Sequence, residues 1–105
     1  MPRLRIEGGS LDGTIVPLPE GRLLIGRSED CDLRLRDPQV SRYHCAIVRE
    51  GDIVRVSDLA SKRGTRVNGR AIGLYHIRLE HGDQLRVVNA VLHVEFDDSK
   101  QGSDA

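Results

Sequence analysis

Apolar and polar residues alternate along this chain more often than they recur at helical spacing, and turn residues cut the alternation into short pieces. Leu4 and Ile6 alternate with Arg5 and Glu7 before Gly8-Gly9, and a run from Thr14 to Leu18 is closed by Pro17 and Pro19. The two runs read as a hairpin. Leu23-Leu24-Ile25 leads into Gly26, Leu33 and Leu35 alternate with Arg34 and Arg36, and Asp37-Pro38 marks a turn. Cys45 and Ile47 share one strand face, Val54 and Val56 share another, and Glu50-Gly51-Asp52 joins them as a second hairpin. The longest stretch free of Gly and Pro, 83–101, is the natural place for a helix, but its pattern argues otherwise. Leu85 and Val87 alternate, Asn89-Ala90 interrupts, and Leu92, Val94 and Phe96 alternate again, which predicts two paired strands. An all-β chain of about 8–11 short strands follows, arranged as a sandwich or a barrel. Residues 1–96 are expected to form one domain, and 97–105, rich in Asp, Ser and Gly, a flexible acidic and polar tail.

The chain has 105 residues, enough for a single core, and its 16 Lys plus Arg balance 16 Asp plus Glu to a net charge of zero. A global field able to hold nucleic acid or a membrane surface is therefore absent. Only Tyr43, Tyr75 and Phe96 are aromatic, so the stacking platforms of single-strand binders are missing as well. Neither a signal-peptide pattern nor an apolar run of membrane-spanning length occurs, and the expected location is cytoplasmic. Cys31 and Cys45 lack CxxC spacing and are too few for a disulfide framework, so reduced thiols are expected, with Cys45 buried. One bias stands out: among the cations only Lys62 and Lys100 are lysines, and the rest are arginines, whose planar fork suits carboxylates and phosphates.

Three loops carry that chemistry. The first follows a strand with Gly26-Arg27-Ser28, the second is Val40-Ser41-Arg42-Tyr43-His44, and the third runs from Asp58 to Gly69. Between Ser61 and Arg70 lie Lys62, Arg63, Arg66 and Arg70 with no acid among them. Each piece alone is weak, because a charged loop is usually only a solvated one. In order and spacing, however, Gly26-Arg27, Ser41-Arg42-x-His44, Asp58, Ser61-x-x-Gly64-Thr65-x-Val67-Asn68-Gly69 and Gly82-Asp83-x-Leu85 together resemble the forkhead-associated (FHA) domain. The resemblance covers about Leu23 to Phe96.

What the resemblance implies is a two-sheet β-sandwich whose loops at one end bind phosphothreonine in a partner protein. A phosphate brings close to two negative charges and three acceptor oxygens, and needs several converging donors. By resemblance, Arg27 pairs with the phosphate, Ser41 donates a hydrogen bond to it, and Arg42 and Lys62 complete the contact. Asn68 is expected to fix the binding loops near the peptide backbone. His44 is expected to brace the loops from behind, with Gly26, Asp58, Ser61, Gly64, Thr65 and Gly69 as further loop scaffold. Arg63 departs from the family, which very often has Asn there to grip the peptide main chain; Arg donates but cannot accept, so this contact must differ. The partner implied is a Thr-phosphorylated protein or a Ser/Thr kinase, with no nucleic acid, no membrane, no metal and no cofactor.

Other readings are weaker. Ser41, His44 and Asp58 could be assembled on paper as a catalytic triad, but residues three apart on a strand project to opposite faces, and no strand-to-helix elbow presents the serine. No catalytic residue is assigned. His44, His76, His81 and His93 have no metal-binding spacing. Gly8-Gly9-Ser10 lacks the Lys-Ser/Thr that would make it a phosphate loop, and reads as a hairpin turn. The competitor from another functional class is an FHA-like scaffold that binds an unphosphorylated partner or serves as an assembly surface.

Overall fold

The computed structural model describes residues 1–96 and contains eleven strands: β1 (Pro2–Glu7), β2 (Ile15–Pro17), β3 (Gly21–Gly26), β4 (Leu33–Arg34), β5 (Cys45–Glu50), β6 (Ile53–Asp58), β7 (Arg66–Val67), β8 (Arg70–Ala71), β9 (Ile77–Leu79), β10 (Gln84–Val87) and β11 (Ala90–Phe96). The tail expected at 97–105 lies outside the described residues. The strands form two sheets, of order β2-β1-β11-β10-β7-β8 and β4-β3-β5-β6-β9. Alternation explains the layering. Leu4, Ile6, Leu85, Val87, Leu92 and Val94 point inward from the six-stranded sheet, and Leu23, Ile25, Cys45, Ile47, Val54, Val56 and Leu79 point inward from the five-stranded one. Polar residues between them face water, which is why each strand reads as a period of two.

The predicted hairpins form. β5 pairs with β6 from Cys45↔Asp58 to Glu50↔Ile53, and β10 pairs with β11 from Gln84↔His93 to Val87↔Ala90. β1 also pairs with β2, through a connection longer than the Gly8-Gly9-Ser10 turn alone. Two features differ from the pattern-based expectation. The short β4 runs parallel to β3, with Ile25↔Leu33 and Gly26↔Arg34, because the 27–32 loop carries the chain back beside β3 in the same direction. The third loop is also not continuous: Arg66–Val67 and Arg70–Ala71 form a two-residue-per-strand hairpin around Asn68-Gly69. Both turn residues have positive φ, 52° for Asn68 and 86° for Gly69, the geometry such a hairpin turn demands. Strands this short show no usable alternation, so the sequence reads them as loop.

Candidate functional site

His44 lies at the start of β5, where the five-stranded sheet meets its loops. Its backbone is held on both sides, its N–H donating to the Ile25 carbonyl and its own carbonyl accepting from Leu59 N–H, each at 2.9 Å. The imidazole is fully buried. Nδ1 accepts from the Ser41 backbone N–H at 3.2 Å, so the ring proton sits on Nε2 and is donated to the Gly64 carbonyl at 2.8 Å. A neutral ring thus ties the second loop to the third. Because both nitrogens are occupied by backbone groups, neither is left to take the Ser41 hydroxyl proton, and Asp58 is bonded elsewhere.

Asp58 organises the third loop from the end of β6. Its Oδ1 accepts from the Ser61 and Thr65 hydroxyls at 2.5 and 2.6 Å, and its Oδ2 from Ser61 N–H at 2.9 Å. The Ser61 hydroxyl in turn accepts from Gly64 N–H at 2.9 Å. Burial alone would raise the Asp58 carboxyl, but these donors outweigh it and hold the group below the usual value of 3.8. Thr65 is buried with its hydroxyl satisfied, so the loop is closed around a complete polar network.

Arg27 and Ser41 come together through the backbone. Arg27 N–H donates to the Ser41 carbonyl at 3.0 Å and Ser28 N–H to the Arg42 carbonyl at 3.1 Å, which aligns the first and second loops. Arg27 Nε donates to the Val40 carbonyl at 3.0 Å, fixing the stem of the guanidinium, and the side chain lines a cleft with Arg34, Arg36 and Pro38. The Ser41 Oγ accepts from Lys62 N–H at 2.9 Å. One hydroxyl lone pair is thereby used, and the O–H remains available as a donor. Arg42 and Lys62 are exposed and, among the described residues, make no ion pair.

Gly26 permits this close approach. A Cβ there would lie 2.2 Å from the Arg42 carbonyl oxygen and 2.9 Å from Cys31 Sγ, which itself hydrogen-bonds that carbonyl. Tyr43 reaches back to Asp30 with its hydroxyl at 3.0 Å, binding the second loop to the first. Gly26, Val40, Cys31 and Tyr43 therefore join the first and second loops through contacts between residues distant in sequence, which the loop motifs do not announce. Both thiols are free, and burial pushes Cys45 up to about 12.

Arg63 leans along the rim and bonds the Gln39 side chain. Asn68 is set apart from the others. Its Nδ2 donates to Asp83 Oδ1 and its Oδ1 accepts from Gln84 N–H, each at 2.9 Å, which joins the β7–β8 turn to the start of β10. Its amide braces that hairpin, three residues down the strand from Thr65. Gly69 completes the same turn. The remaining candidates, Arg27, Ser41, Arg42, Lys62 and Arg63, converge on one end of the sandwich.

A family model of the FHA domain matches residues 23–88. The chain belongs to the FHA family. The mycobacterial protein FhaA from Mycobacterium tuberculosis is 37% identical over 89% of this chain, and the proliferation marker protein Ki-67 of mouse is 36% identical over 88%. This FHA domain spans only 17% of FhaA and 3% of Ki-67. Among solved structures, one from a study of phosphothreonine-dependent FHA interactions superposes with a TM-score of 0.83 at 33% identity, covering 91% of this chain and 96% of the other. The FhaA FHA domain complexed with the intracellular domain of Rv3910 superposes at 0.82 with 34% identity, covering 90% of this chain and 100% of the other.

Two outcomes test the scaffold roles. Replacing His44→Ala leaves the Ser41 N–H and Gly64 carbonyl without their partner and opens a cavity, so denaturant unfolding should show a loss on the order of 2–4 kcal/mol. The Asp58 carboxyl is depressed in the fold, so its contribution is complete above the ordinary Asp value of 3.8 and is lost as pH falls through the lower folded value. The stability gap between wild type and Asp58→Asn should accordingly narrow as unfolding is measured from pH 6 down to about pH 2.

Proposed function

We propose that this FHA domain is a non-catalytic module that binds phosphothreonine in a partner protein, a Thr-phosphorylated protein or a Ser/Thr kinase, in cytoplasmic kinase signalling. The observation that carries the reading is the pair Arg27 and Ser41, whose backbones bond the first loop to the second and whose two Nη groups and one O–H have no partner among the described residues. Arg27 takes two phosphate oxygens in its fork, and Ser41 donates to a phosphate oxygen. Arg42 and Lys62 supply charge that no carboxylate of the described residues neutralises. Arg63 contacts the peptide beside the phosphate, and Asn68, while holding the β7–β8 hairpin, keeps one amide N–H and one carbonyl lone pair for the peptide main chain.

Relatives support the ligand class. One structural neighbour comes from work on phosphothreonine-dependent FHA interactions, and another, the EmbR protein of Mycobacterium tuberculosis, at 29% identity and a TM-score of 0.80, is in complex with a phosphopeptide. Neither nucleic acid nor a membrane is part of the reading; among the described residues no helix is long and apolar enough to cross a membrane.

The experiment is a titration of one peptide library in phosphothreonine, phosphoserine and unmodified forms. The phosphothreonine form should bind best, and equal binding of the unmodified form would overturn the proposal in favour of an unphosphorylated partner. Arg27→Ala should cost on the order of 2–4 kcal/mol of binding with little change in folding stability. Wild-type affinity should fall as salt rises, and as pH drops through the second phosphate pKa near about 6, where the ligand loses charge.

A further inference from the structure

Between β8 and β9, the outermost strands of the six- and five-stranded sheets, the chain crosses from one sheet to the other. Tyr75 N–H donates to the Ile72 carbonyl at 3.2 Å and Gly73 takes a φ of 59°, so residues 72–75 close a tight turn. Ile72 anchors it, with a buried side chain and an N–H that donates to the Thr65 carbonyl at 3.1 Å. The tip of such a turn ordinarily carries Asn, Asp, Ser or Gly. Here it carries Leu74 and Tyr75, 86% and 75% exposed, the two most exposed large apolar side chains of the described residues.

Tyr75 also lines a cleft of about 530 Å³, together with the buried Val67 and Ile72, the half-buried Ile77, and the exposed Arg70 and Ala71. That volume falls within the roughly 300–1,000 Å³ of clefts that enclose a discrete, mostly apolar group. Arg70 is the one charged residue in its wall, and among the described residues it has no carboxylate partner. The acids of the neighbouring strands are engaged: Asp83 accepts from the Asn68 amide and the Glu80 N–H, and Glu80 pairs with Arg78 at 3.2 Å. A single exposed leucine needs no explanation, but adjacent apolar side chains beside an apolar cleft with an unneutralised cation mark a contact surface.

The candidate occupants are a second copy of the chain, its own 97–105 segment, and a segment of another protein. Charge and composition separate them. A twofold contact centred on the cleft would bring two copies of Arg70 together with no lining carboxylate between them, and like charges in one contact disfavour it. The 97–105 segment has no apolar residue larger than Ala105, so it has nothing with which to fill the cleft. We infer that the β8–β9 edge docks an apolar and acidic segment of a partner protein. A large apolar side chain of that segment enters the cleft against Val67, Ile72 and Ile77, with Leu74 and Tyr75 along its flank, and a neighbouring carboxylate takes the Arg70 guanidinium. Arg27 and Ser41 are not part of this edge, so the contact does not depend on a phosphate.

The test titrates the full chain, isotope-labelled for amide chemical shifts, with short unphosphorylated peptides that carry a central Leu or Phe flanked by Glu, by Lys or by Ser. The Glu-flanked peptides should bind about three- to tenfold more tightly than the Ser-flanked ones, with the shifts gathered on residues 67–77. The double variant Leu74→Ser/Tyr75→Ser changes only exposed side chains, so it should melt with wild type yet bind these peptides about tenfold more weakly. Arg70→Glu should transfer the preference to the Lys-flanked peptides. No binding by any peptide, equal binding of all three flanks, shifts gathered elsewhere, or undiminished binding by the double variant overturns the proposal. Loss of binding in Arg27→Ala also overturns it, because the carboxylates would then occupy the phosphate pocket. A dimer in sedimentation that the double variant dissolves overturns it in favour of a second copy. Phosphothreonine peptides should bind the double variant as they bind wild type, so either surface can fail without the other.

Discussion

The loop end depends on one buried imidazole. His44 is fixed by its backbone between β3 and the chain leaving β6, and its two ring nitrogens hold Ser41 and Gly64 in place. A buried polar ring is costly unless both its donor and its acceptor are met, and here both partners are backbone groups of the loops themselves. The ring's own requirement for hydrogen bonds thus becomes the force that positions the loops. Ser41 is placed by His44 on one side and joined to Lys62 on the other, while Gly64 closes the Asp58 network. Loops held this way lose little freedom when a ligand arrives, so less of the binding energy is spent on ordering them.

The distribution of charge follows a division between faces and ends. On the strand faces, several arginines meet acids: Arg3 and Arg5 share Glu95, Arg55 meets Glu50, and Arg78 meets Glu80. Among the described residues no such pair occurs on the 27–43 and 61–70 segments. There the arginines instead donate to carbonyls, as Arg27 does to Val40 and Arg34 to Arg27. A carbonyl orients a guanidinium without cancelling its charge. That difference in partner, together with the acid-free 61–70 segment carrying Lys62, Arg63, Arg66 and Arg70, lets a protein of zero net charge present a positive loop.

Much of this is legible in the sequence. Strict alternation named the long strands because one face of each is buried, and the hairpins β5–β6 and β10–β11 occur where that alternation and the turn residues placed them. The spacing of Gly26-Arg27, Ser41 and Ser61 to Gly69 marked the loops that meet. What could not be read is tertiary. β7 and β8 each have two residues and carry no period, and the alternation from Leu33 to Arg36 marks β4 but not its parallel pairing with β3. The Val40 carbonyl under Arg27 and the Cys31 thiol beside Arg42 are chosen by proximity in space, and no residue type at a fixed spacing announces them. Asn68 shows the opposite limit: the sequence marks its position as a turn, but the bonds its amide makes to Asp83 and Gln84 follow only from the register of β7 against β10.

Net charge is a poor guide to such a site because charges act over a finite distance. At physiological salt the Debye length is about 8 Å, so an exposed pair such as Arg5 and Glu95 on the sheet face contributes almost nothing at the loops. A ligand group small enough to lie within that distance of Arg27, Arg42 and Lys62 feels their charge far more than that of the strand faces. A polyanion extends well past it and meets a balanced surface, gaining few released counterions for the area it must cover. Zero net charge with a positive end is therefore itself a selectivity device: it favours discrete anionic groups on a peptide over a continuous charged backbone.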